Sequence, residues 1–220
     1  VPDKVLNKSL DGVRSEYIKS TLSSLSSLPD TRVELKELSR FFGDDESSIY
    51  LGENASELNV FGSQLSEFDV ISFSTHGILP SKGDIFSEAA LALTPVDLQS
   101  ENLNGLLSSS EISSLNINSQ LVILSACNTA FSGDLSADGI SELSSAFMFA
   151  GSRSILASYW YVESESTAEL VTKSFDIYLN DKNISFSKSL QKSMLGLISG
   201  SVKKYYSHPA YWAAFSYYGI

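Results

Sequence analysis

Apolar residues recur at helical spacing near both ends of this chain and form unbroken runs in its middle. Near the start, Val13, Tyr17, Ile18, Leu22 and Leu25 step by three and four through a polar, serine-rich stretch, which predicts a weakly amphipathic helix closed by Pro29. Thr31 with Glu34 makes a capping-box pattern ahead of Val33, Leu35, Leu38, Phe41 and Phe42, so a second helix should run to Gly43-Asp44-Asp45. Asn54 with Glu57 marks a third helix start. Residues 68–73 then read as a buried strand and 89–93 as a short second one, while 81–110, rich in Gly, Ser, Asn and Asp, reads as loop with a short helix opening at Ser110. Leu121 to Ala126 is the clearest strand, a continuous apolar run of the kind found where both faces of a sheet are covered. Ile140, Leu143, Ala146, Phe147 and Ala150 predict a helix stopped by Gly151. Residues 154–160 form another strand, 165–179 and 185–198 amphipathic helices, and 211–218 a final strand. Strands that alternate with helices predict an α/β fold, with a largely parallel sheet and helices on both faces, as a single domain over 1–220.

Composition narrows the partners. The formal net charge is −11 and the pI about 4.6. Nucleic acid needs clustered Lys and Arg, and an anionic membrane surface needs the same, so neither is expected as a direct partner. No apolar stretch approaches the roughly 20 residues that span a bilayer. A single cysteine excludes an internal disulfide and a multi-cysteine zinc site, so no metal or other cofactor is expected and a cytoplasmic setting is the default. The chain begins at Val1, which raises the expectation of a longer polypeptide with an upstream region.

Two of the apolar runs end in reactive side chains. Phe73-Ser74-Thr75-His76-Gly77 closes one, and Leu124-Ser125-Ala126-Cys127-Asn128-Thr129 closes the other, about 50 residues on. In an open parallel sheet, function gathers at the carboxyl ends of strands. A lone cysteine there is most often a small core residue, and a lone histidine a hydrogen-bonded structural one. Together, on strands that become neighbours, they form a nucleophile and its proton carrier. A caspase cysteine follows its histidine at this distance and in this order. A flavodoxin-like small-molecule binder also fits the coarse pattern, but no glycine-rich phosphate loop is present.

At this point the residues resemble a family. Leu28-Pro29-Asp30-Thr31-Arg32 with Glu34, the histidine and cysteine segments above, Ala150-Gly151-Ser152-Arg153-Ser154-Ile155-Leu156-Ala157-Ser158-Tyr159-Trp160, and His208-Pro209-Ala210-Tyr211-Trp212-Ala213-Ala214-Phe215 resemble, in order, five blocks of the CHAT domain. This is a caspase-like cysteine-peptidase module often found after TPR repeats. There are departures. Ala130 stands where the cysteine motif commonly ends in glycine, and Val162-Glu163-Ser164-Glu165 where a Val-Asp-Asp type sequence is usual. The block with a first strand that often precedes the opening segment is not recognisable.

The resemblance implies a caspase-like sheet and peptide-bond hydrolysis through a thioester. Cys127 would be the nucleophile and His76 its proton carrier, with the N–H groups of Gly77 and Cys127 as oxyanion hole. A carbonyl, or Ser74 or Thr75, would orient the imidazole. A protein or peptide would be the substrate, and a TPR-type region upstream a regulator. By analogy with caspases, the strand ending at Trp160 would border the cleft and take a peptide along its edge. Trp160 would wall a side-chain subsite, and Glu163 and Glu165 would favour Arg or Lys before the scissile bond, with Asp134 and Asp138 as rival carboxylates. Glu163 and Glu165 equally suit the start of the next helix. His208 reads as structural. The alternative function is a catalytically silent module that binds proteins and transmits a conformational change.

Overall fold

The computed structural model describes residues 2–79, 87–97, 103–125, 137–160 and 162–219; of residues 2–11, 44 and 137–139 it describes the backbone alone. Four strands build the main sheet. β1 (Val70–Phe73), β5 (Leu121–Leu124) and β6 (Ser154–Ser158) run parallel in that order, and β7 (Phe215–Gly219) closes the row antiparallel to β6.

The unbroken apolar run of β5 has a direct cause. Val122 and Leu124 enter one core with Ile71, Ile155 and Ala157, covered by α4 (Ser109–Ser114) and α5 (Ala137–Phe149) through Ile112, Ile140, Leu143 and Phe147. Leu121 and Ile123 enter a second core with Leu156 and Phe215 on the opposite face. That face is covered by α2 (Thr31–Phe42), α6 (Ser164–Asn180) and α7 (Phe186–Ile198), through Leu38, Leu170, Val171, Phe175, Leu190 and Leu197. A residue period of two thus sends alternate side chains of one strand into two cores. Full burial of each such side chain contributes about 1.5–3 kcal/mol.

Three differences from the sequence reading matter for the site. First, the 81–110 stretch is not plain loop. Its described parts form β3 (Ala90–Ala92) and β4 (Leu106–Ser108), which join β2 (Gly77–Ile78) in a small antiparallel sheet. That sheet packs on Ile18, Leu22 and Leu25 of α1 (Pro2–Ser24) and the turn after it. Second, β6 has no open edge, because β5 takes one side and β7 the other, and Tyr159 N–H donates to Ala214 O at 2.9 Å beyond the ladder. The aromatic tail fills the place expected for a substrate peptide. Among the described residues the edge strands of the main sheet are β1 and β7, and a groove of about 1170 Å³ lies against β1, lined by Leu38, Phe42, Ile49 and Val70 among others. Third, α3 (Glu57–Gly62) is capped by the Ser56 hydroxyl, which accepts from Asn59 N, while Asn54 sits in a preceding 3₁₀ turn.

Candidate active site

β1 and β5 end level with each other. Phe73 pairs with Leu124, and the next amide after β5, Ser125 N, donates to Phe73 O at 3.0 Å. His76 lies three residues beyond that point on one strand, and Cys127 three beyond on the other. Cys127 itself lies outside the described residues, as does Asp134; the side chain of Asp138 does too.

His76 is 5% exposed and tightly framed. Its carbonyl accepts from Ala92 N at 2.8 Å, which ties the histidine loop to β3. Its ring Nε2 lies 2.7 Å from the carbonyl oxygen of Ser26, in the turn between α1 and α2. A carbonyl only accepts, so this contact assigns the proton to Nε2 and makes Nδ1 the acceptor nitrogen of the neutral ring. Ser74 and Thr75 have other partners: Ser74 Oγ donates to Glu34 Oε1 at 2.8 Å, and Thr75 Oγ1 donates to Ala92 O. Of the three orienting groups the sequence offered, the carbonyl is the one in contact with the imidazole.

Gly77 opens β2 opposite Leu91. Since His76 O accepts from Ala92 N, His76 and Ala92 form a hydrogen-bonded pair, and the alternation of an antiparallel ladder turns the Gly77 N–H away from β3. That direction suits an oxyanion donor.

Beneath these strand ends sits Glu34, 2% exposed, on the inner face of α2 one turn before Leu38. The sequence reading made it a capping residue. In the structure Asp30 occupies the N-cap, Thr31 Oγ1 donates to Leu28 O at 2.8 Å, and Glu34 points into the core. Burial pushes its carboxyl up to about 7, against the pull of the Ser125 and Ser74 hydroxyls. The sequence did hold a signal: a carboxylate four residues before Leu38 interrupts the apolar face of an amphipathic helix.

The other candidates are spread along one connection. Trp160 is 38% exposed, and its indole N–H donates to Ala210 O at 3.3 Å. Glu163 is the N-cap residue of α6, with one carboxylate oxygen buried and without a hydrogen-bond partner. Glu165 is exposed and pairs with Lys203, whose ammonium holds its carboxyl below the ordinary range. His208 Nδ1 accepts from Ala210 N at 3.2 Å and caps a 3₁₀ turn, a structural role. No helix of the described residues is long and apolar enough to cross a membrane.

Comparison with known proteins places the chain in a family. The profile of the CHAT domain matches residues 12–220. A mouse protein, tetratricopeptide repeat protein 28 of Mus musculus, is 32% identical over 114 residues, which is 52% of this chain and 4% of that protein. The chain therefore spans a small fraction of the length of that relative.

Proposed function

The chain belongs to the CHAT domain family, a caspase-like module, and from that premise we propose that it is a cysteine endopeptidase that cleaves a protein partner through His76 and Cys127. The observation that carries this reading is the level ending of the parallel pair β1 and β5, together with a histidine whose ring is held by a backbone carbonyl.

The chemistry follows from these groups. His76 Nδ1 takes the thiol proton, since the thiolate is the reactive form. The sulfur attacks the substrate carbonyl carbon, and the developing oxyanion is met by the N–H groups of Gly77 and Cys127. Each such donor contributes on the order of 3 kcal/mol. The C–N bond breaks as the imidazolium returns its proton to the leaving amine, which leaves a thioester. Water then adds to the thioester and regenerates the thiol.

The module works as part of a longer polypeptide with an upstream, TPR-type regulatory region. The open edge of β1 and its groove support this, as does the mouse relative, whose name records tetratricopeptide repeats. The test is cleavage of a reporter peptide or protein partner. Cys127→Ala should abolish turnover, and His76→Ala should lower it about 10²–10⁴-fold with the fold intact. Unchanged cleavage by Cys127→Ala would sink the reading.

A further inference from the structure

We propose that Glu34 floors a binding pit for a lysine ammonium, and that this pit selects the substrate residue before the scissile bond; the second half rests on the peptidase reading above. A cavity of about 20 Å³ lies under the carboxyl ends of β1, β5 and β6, lined by Glu34, by Leu28 and Val162, and by six hydroxyl residues that include Ser125, Ser158 and Ser164. Among the described residues no lysine or arginine lines it.

Most of the lining hydroxyls have their protons committed elsewhere. Thr31 donates its proton to Leu28 O, Ser158 to Leu124 O at 3.3 Å, and Thr167 to Glu163 O at 3.2 Å. Ser74 gives its proton to Glu34. A hydroxyl whose proton is committed to a carbonyl has lone pairs left to offer. The Ser125 hydroxyl lies beside the Glu34 carboxyl but makes no full hydrogen bond, although it is buried. An ammonium has three donors and no acceptor, which complements such a wall.

Size separates lysine from arginine. A cavity of this volume holds one water-sized group. An ammonium head is of that size, whereas a guanidinium is a broad planar fork. The charge balance points the same way. A buried carboxylate without a cation is costly, and burial has pushed Glu34 up to about 7; a seated ammonium offsets that penalty.

Position ties the pit to the chemistry. Thr75, one residue before His76, and Ser125, two before Cys127, both line the pit, so it shares the strand ends that carry the dyad. Glu163 and Glu165 do not line it.

Two measurements decide the matter. In the Cys127→Ala chain, with glutamate carboxyls labelled with carbon-13, the Glu34 resonance is followed by NMR against pH. Adding N-acetyl-lysine methylamide should lower its midpoint by about one pH unit or more, and the norleucine analogue should not. Equal midpoints with both would overturn the pit. In the wild-type chain, reporters ending in Lys should be cleaved about tenfold faster than those ending in Arg, and about a hundredfold faster than those ending in norleucine. The Lys preference should vanish in Glu34→Gln. Cleavage without preference, or a preference that survives Glu34→Gln, overturns the pit and leaves the peptidase standing. A lysine-dependent NMR shift in a chain that cleaves nothing supports the pit and removes the peptidase.

Discussion

A carboxyl group that titrates near neutrality inside the core makes the stability of the whole domain depend on pH. Glu34 is one such group, and Glu57 is another. Glu57 is fully buried, accepts from Gly105 N at 2.5 Å through Oε2, and is pushed up to about 7 by its burial. Both hold their proton more tightly folded than unfolded, where the ordinary value is 4.5. Their stabilising contribution is therefore complete below about pH 4.5 and is lost as pH rises through 7. For Glu34 the loss is on the order of 3 kcal/mol. Chemical denaturation at pH 5 and pH 8 should show the decline, and Glu34→Gln should make it shallower; an equal slope in both chains would contradict the burial argument. The residue scale was partly legible. His76 and Cys127 stood out because both are rare and both end apolar runs. Glu34 was misread because its three-residue spacing from Thr31 fits a capping box, and only packing shows that its side chain turns inward to Ser74.

Elements were legible where their pattern was long. The runs of β5 and β6 and the stripes of α5, α6 and α7 each fill a core, so hydrophobic period and fold agree. β2 and β4, of two and three residues, were not, because such short strands are fixed by their neighbours and not by their own composition. The closed edge of β6 was also missed, since sequence does not state which strand a C-terminal aromatic segment will join. Gly151 shows the opposite case, a stop that sequence identified and structure explains. It has φ +116°, and a Cβ there would come within 2.0 Å of Ile117 O. That carbonyl lies against the helix end because Ile117 N donates to Ala150 O at 2.9 Å. Gly151→Ala should destabilise the domain by on the order of 3 kcal/mol, read as a drop in the denaturation midpoint. A loss below about 0.5 kcal/mol, the range of an unremarkable surface substitution, would show that the approach is not tight.

At the scale of the molecule, two cores and a small side sheet converge on one edge. The parallel strands bring His76 and the chain leading to Cys127 to the same end, α2 carries Glu34 beneath them, and the turn before α2 supplies the Ser26 carbonyl that holds the imidazole. The CHAT domain match covers residues 12–220, the span that holds all of these elements. The central claim is that His76 activates Cys127 in this setting. The most direct measurement is the rate at which a peptide electrophile ending in lysine labels the single cysteine, followed by mass spectrometry in the wild-type and His76→Ala chains. The account predicts one adduct, on Cys127, forming about a hundredfold more slowly without His76. Equal rates in the two chains, with both folded, would contradict it.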